Sequence, residues 1–279
     1  MPTKSSLAIA VGIVAFLSNN CASETTSDDG GEVTASTGKT FEEWKKTVQR
    51  DPDGVWIVDG DIPIHSEEKL LAFFEKYVQQ GALLVSNENG IDSKWGERQK
   101  RRITYCVSKA SFGPDYDRVV RAIAQATRDW AEVADIRFIH VREQDGDCTV
   151  QNERVVFNAR IGGSDFSGRA FFPFNVRSER ELLIGPTAAA GGSSPLGPYT
   201  LRGLLRHELG HALGFRHEQT RPEANAADCF EDNDWRALTK YDSASVMHYA
   251  WCGNGSNTGD MDITALDAEG AAKLYGKPR

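Results

Sequence analysis

No apolar run in this sequence is long enough to cross a bilayer as a helix, which takes about 20 residues; the run Leu7 to Leu17 has eleven. Basic residues are outnumbered, 32 Lys and Arg against 40 Asp and Glu, so the basic face of a nucleic-acid binder is missing and no nucleic-acid partner is expected. No CxxC pair occurs among the five cysteines, which speaks against a structural zinc site made of thiolates. No internal repeat is visible. Histidine and methionine are scarce, six and three in 279 residues. The remaining composition, 40% hydrophobic and 26% charged, is that of a soluble globular protein and excludes whole-chain disorder or a fibre.

The eleven-residue run follows Lys4 and suits the core of a signal peptide, here residues 1–23. Cys21 has two readings: the lipidated residue of a bacterial lipoprotein, which would attach the chain to a membrane, or a small residue of a cleavage site after Ser23. Either way an exported chain is expected, on a bacterial cell surface or secreted. Cys21 then leaves the disulfide pool, and the even count that remains reads as two disulfides. Residues 24–40 are rich in Ser, Thr, Gly and Asp and read as a flexible tether. Residues 41–102 read as a small pro-region and linker, with helices at 41–50 and 67–80 and a strand at 55–58. The stretch 87–102 is polar, ends in basic residues and reads as an exposed linker with a processing site.

From residue 103 strand and helix patterns mix. Strands are expected at 103–107, 136–141, 154–158, 168–172 and 181–184. Long helices are expected at 115–134, where Val119, Ile123, Ala126 and Trp130 share a side, and at 199–215. A short one follows near 267–274. The expected class is α+β, a twisted mixed sheet with helices against it and one catalytic domain over 103–279.

The strongest motif is His207-Glu208-Leu209-Gly210-His211-Ala212-Leu213-Gly214-Phe215-Arg216-His217. Histidines four apart on a helix lie one turn apart on one face, so both imidazoles reach one ion. Glu208 sits beside the first of them, placed for a water rather than for the metal. Gly214 can take the positive φ that turns the chain sharply and brings His217 back as a third nitrogen ligand. Three nitrogens and an open position are the arrangement of a catalytic zinc site holding one Zn²⁺.

This string resembles the long zinc signature of the metzincin metallopeptidases, a resemblance that covers roughly residues 100–275. Glu218 after the third histidine is similar to the astacin branch. Ser245-Val246-Met247-His248-Tyr249 resembles the astacin Met-turn, 30 residues beyond His217 counted at Met247. Gly168-Arg169-Ala170-Phe171-Phe172-Pro173 looks more like the edge strand of the matrixins, and the chain also resembles bacterial metallopeptidases with a HEIGH-type motif. The resemblance implies a zincin fold with an antiparallel edge strand, a zinc cleft and a C-terminal Met-turn subdomain. It implies Met247 as the floor under the zinc and Tyr249 as a switchable extra ligand that serves the oxyanion. It implies a polypeptide substrate extended along Arg169–Phe172. Glu218 would receive the new N-terminus of a matured enzyme.

Val58-Asp59-Gly60-Asp61 is similar to the FxGD segment of astacin propeptides, which makes Asp61 the candidate latency ligand; a Gly-Asp turn after a strand reads equally well. Four cysteines allow three pairings. We favour Cys106–Cys148 with Cys229–Cys252, the latter bracing the site by roughly 3 kcal/mol. The expected function is a zinc endopeptidase made as a latent precursor. An inactive zinc-binding adhesion lipoprotein, or a zinc hydrolase of non-protein bonds, would share the ligand set.

Overall fold

The computed structural model describes residues 41–46, 48–58, 61–74, 85–88, 90–164, 167–192, 199–226, 229 and 235–279, all within one of two compact units, Val33–Arg279. The expected signal peptide, Cys21, the tether and Asp59-Gly60 lie outside the described residues, as does any extension of the second helix past Phe74.

The N-terminal segment opens with α1 (Phe41–Lys45), then β1 (Gln49–Arg50), β2 (Trp56–Val58), β3 (Ile62–Ile64) and α2 (Glu67–Phe73). The three strands pair antiparallel. The first helix was expected to reach Arg50, but Gln49 and Arg50 pair instead with Ile57 and Trp56. The turn between β1 and β2 is tied by Asp51, whose Oδ1 accepts the N–H groups of Asp53 at 3.0 Å and Val55 at 2.9 Å. Ser66 starts α2 as expected, its Oγ accepting the Lys69 N–H. Trp56, Val58, Ile62, Ile64, Leu70 and Phe73 form a small apolar cluster, and Phe172 joins it from the rest of the chain.

Residues 87–102 are not the exposed linker expected. β4 (Val85–Glu88) and β5 (Ile91–Asp92) pair antiparallel. Trp95 is buried and its indole N–H donates to Ala212 O at 2.8 Å. Lys100 is 4% exposed and its ammonium donates to Tyr275 O at 2.6 Å. A hydrophobicity reading misses both, because each apolar body sits among polar neighbours and the Lys100 charge is met by Glu97, by Asp135 and by a distant carbonyl.

The central sheet is built from β6 (Ile103–Val107), β7 (Phe138–His140), β8 (Phe157–Ile161), β9 (Gly168–Arg169) and β10 (Glu181–Ile184), in the order β7-β6-β8-β10-β9. Neighbours run parallel except β9, which lies antiparallel to β10 at the end of the sheet. The strand expected at 154–158 begins only at Phe157, opposite Tyr105. Before it, Asn152 holds a loop, accepting the Arg154 N–H and donating to Asp147 O. The edge strand expected to reach Phe172 stops at Arg169. Phe171 turns into the main core, Phe172 into the N-terminal cluster, and Pro173 cannot donate to a ladder.

Short α3 (Lys109–Phe112) leads into α4 (Tyr116–Val133); α5 (Pro186–Ala189) precedes α6 (Leu201–Ala212); β11 (Trp235–Arg236) pairs with β4, and α7 (Ala265–Tyr275) closes the chain. The apolar stripe of α4 packs on α6, and the Trp130 indole N–H donates to Arg206 O at 2.8 Å. The continuous core runs through both helices, the sheet and α7. Both favoured disulfides are formed, Cys106–Cys148 with Cα atoms 5.6 Å apart and Cys229–Cys252 at 5.9 Å. Among the described residues no helix is long and apolar enough to cross a membrane.

Candidate active site

Helix α6 begins where Thr200 Oγ1 accepts the Gly203 N–H. It carries His207, Glu208 and His211, each at most 2% exposed. The helix ends at Ala212, and Gly214 takes φ 94°. A Cβ there would lie 1.9 Å from Ser93 O, so no other residue fits the turn. The turn returns His217 to the helix: its Nε2 is 3.0 Å from His207 Nε2 and 3.2 Å from His211 Nε2. Asp61 Oδ2 enters from the N-terminal segment, 3.2 Å from the Nε2 of His207 and His217 and 3.5 Å from that of His211.

The other ring nitrogens say which atoms face inward. His207 Nδ1 donates to Val246 O and His211 Nδ1 to Phe215 O, both at 2.8 Å. Their Nε2 atoms are therefore lone-pair donors to a metal, not N–H groups. Burial pushes the His207 imidazole down to about 4, which keeps it neutral. Nitrogen lone pairs and a carboxylate oxygen crowded within 4.8 Å of one another repel unless a cation lies among them. Three imidazoles and a carboxylate are a donor set that suits zinc, so the residues fit the ion that the motif implies.

The floor comes from the turn around Met247. A Cβ at Gly210, between the two helix histidines, would fall 2.3 Å from Met247 Sδ, so glycine there lets the thioether under the cluster. Asp267 holds the turn: Ser245 Oγ donates to its Oδ1 at 2.6 Å and the Val246 N–H to its Oδ2 at 2.9 Å. Asp267 also completes the capping box of α7 with Thr264. The start of α7 thus fixes Val246, and Val246 O orients His207. Glu218 braces the same turn from the other side. Its N–H donates to Met247 O, its Oε1 accepts the Asp242 N–H, and Arg221 Nε lies 3.0 Å away. Burial pushes the Glu218 carboxyl up to about 8 against the pull of Arg221.

Tyr249 donates its O–H to Asp61 Oδ2. Its ring lies 4.4 Å from the His217 ring, and Trp251 stacks on it at 4.5 Å. Glu208 is 1% exposed, and its Oε2 has no hydrogen-bond partner among the described residues. Burial, with the charge of Asp61 added, raises its carboxyl well above the usual range. β9 crosses over it at Gly168, where a Cβ would sit 2.5 Å from Glu208 Oε1.

The structure thus gathers His207, His211, His217, Asp61, Glu208, Tyr249 and Met247. It leaves His248 outside, its Nε2 2.9 Å from the Tyr241 hydroxyl. His140 is also apart, on Asp145. Sequence reasoning missed Gly168, Gly210 and Asp267. A glycine inside a helical pattern was the available signal for Gly210, and an Asp three residues after Thr264 was one for Asp267.

Known zinc metalloproteinases and related proteins resemble this chain in sequence. Protein SpAN of Strongylocentrotus purpuratus is 26% identical over 210 residues, 64% of this chain and 30% of its own. Blastula protease 10 of Paracentrotus lividus is 26% identical over 206 residues, 65% and 32% of the two chains. Zinc metalloproteinase dpy-31 of Teladorsagia circumcincta is 24% identical over 233 residues, 75% and 34%. The chain thus spans about a third of the length of these relatives. The matrixin family model, peptidase M10, matches residues 94–249, which is more than half of the 279 residues. The chain therefore belongs to the matrixin family, within the metzincin zinc metallopeptidases.

Proposed function

We propose that the protein is a zinc-dependent endopeptidase made as a latent precursor. The observation that carries this reading is the convergence of three imidazole Nε2 atoms and Asp61 Oδ2 beside the buried Glu208 carboxylate, whose Oε2 has no partner among the described residues. His207, His211 and His217 would hold one zinc ion. Bound there, zinc supplies a Lewis acid that polarises a peptide carbonyl and makes water acidic near neutral pH. Glu208 takes the proton from the attacking water and returns it to the leaving amine; a carboxyl whose basicity burial has raised suits both duties. The Tyr249 hydroxyl donates to the developing oxyanion. The free edge of β9 offers main-chain hydrogen bonds to an extended polypeptide. Met247 and Gly210 keep the floor close-packed, and Gly214 sets the turn to His217.

In the precursor Asp61 engages the three histidines and Tyr249 together. One carboxylate then fills the water position and occupies the oxyanion donor, and maturation removes the segment that carries it. The N-terminal leader, with or without a lipid on Cys21, would export the chain, and the disulfides accord with an oxidising compartment. The test is Glu208→Ala in the full chain. It should retain one zinc by elemental analysis while cleavage of a casein-type substrate is lost; persistent cleavage would overturn the role of Glu208.

A further inference from the structure

One row of side chains in the central sheet faces away from Glu208. Gly168 presents its Cα to Glu208, so its neighbour Arg169 points to the opposite face. In register Arg169 stands opposite Leu183, and Leu183 opposite Arg160. Cross-strand partners share a face. Arg160, Leu183 and Arg169 therefore form a row that ends at the outer edge of β9, the last strand of the sheet.

Two carboxylates of the turn between β1 and β2 meet the two arginines. Asp51 Oδ2 lies 2.8 Å from Arg169 Nη2, and Asp53 Oδ2 lies 2.6 Å from Arg160 Nη2. The two pairs are not equivalent. Arg160 keeps a second partner, Glu181, at 2.8 and 2.9 Å through two nitrogens. Arg169 is 1% exposed, and none of its guanidinium nitrogens has a hydrogen-bond acceptor among the described residues. Its nearest anion is Asp51, with Glu181 adding a weaker attraction, and Asp51 belongs to the segment that maturation would remove.

We infer that Arg169 is a specificity-determining residue that selects an acidic side chain in the substrate, and that Asp51 stands in for that side chain in the precursor. The inference rests on the peptidase reading above. A substrate strand added to the free edge of β9 continues the row: the residue opposite Arg169 places its side chain on the same face, about 5 Å away. A guanidinium that has lost its nearest anion rewards a carboxylate and penalises a neutral or basic side chain. Arg160 makes no such demand, because Glu181 stays with it.

The test uses the full chain, matured by limited proteolysis of its N-terminal segment, and a peptide library scored for cleavage. Wild type should favour Asp or Glu over Ala at one substrate position by about tenfold or more in kcat/KM. The charge-swapped D51R/R169E variant keeps an opposite-charge pair in the precursor, so its folding can be checked by thermal unfolding against the parent. Once matured it should favour Lys or Arg at that same position and leave the other positions unchanged. R169Q, which keeps size and loses charge, should show no charge preference there. An R169Q or swapped enzyme that retains the acidic preference, or a wild type that cleaves without one, would overturn the inference. A wild type that cleaves no peptide would instead overturn the peptidase reading, and the inference with it.

Discussion

The N-terminal segment and the body of the domain are held together by different physics. The body from β4 onward shares one continuous apolar core reaching from Val85 to Tyr275, stapled by two disulfides. Residues 41–74 have a separate cluster to which, among the described residues, the body lends Phe172. The contacts that fasten the segment are mostly polar: Asp61 on the histidines and Tyr249, Asp51 on Arg169, Asp53 on Arg160, and Lys69 on Glu179. Apolar burial supplies most of a domain's stability, whereas the net gain from buried ion pairs is small because desolvation offsets their attraction. A segment joined by charges to a finished core can leave without unfolding it. The body thus has one continuous core, and the N-terminal segment joins it mainly through polar contacts, as the proposed release would require.

The largest effect should come from the body's chemistry. Glu208→Ala in the matured enzyme should lower kcat by about 10³-fold or more, with the zinc content unchanged by elemental analysis. Next is the turn that returns His217. Gly214→Ala puts a Cβ against Ser93 O at positive φ and should cost about 3 kcal/mol, a fall of roughly 10 °C in Tm by calorimetry. An unchanged Tm would mean that the turn relaxes freely. Asp267→Ala strands the buried Val246 N–H and breaks the cap of α7, an expected loss of about 2 kcal/mol. Because Val246 O orients His207, zinc affinity should fall about 10-fold in a competition titration. The smallest effect concerns the comparison itself. Amides of β2 and β3 should exchange with deuterium faster than those of β6 and β8, by about tenfold or more; equal protection would merge the two regions into one cooperative unit.

What could be read from the sequence follows the same division. The convergence of the three histidines was legible because helix period and a glycine turn are local properties, so HELGHALGFRH carries its own geometry. The mixed strand and helix content followed from alternation and helical period, and the antiparallel edge followed from the metzincin resemblance. Strand limits did not: β8 starts where Tyr105 offers a partner, not where the apolar pattern starts. The burial of Trp95 and Lys100 was hidden by their polar neighbours, since Ala212 O and Tyr275 O come from remote helices and Asp135 also lies far along the chain from Lys100. The Asp51–Arg169 pair was hidden for a similar reason. Hydrophobic patterning does not register a buried charge whose partner lies far along the chain.

The central claim, a finished active site held shut by a removable strap, is tested most directly by Asp61→Ala. Peptide cleavage by the full-length Asp61→Ala precursor should be compared with that of the unsubstituted precursor, with the zinc content of each measured in the same sample. The account predicts about tenfold or more basal cleavage at equal zinc, abolished by a chelator. Equal cleavage by the two precursors, with zinc bound in both, would contradict it.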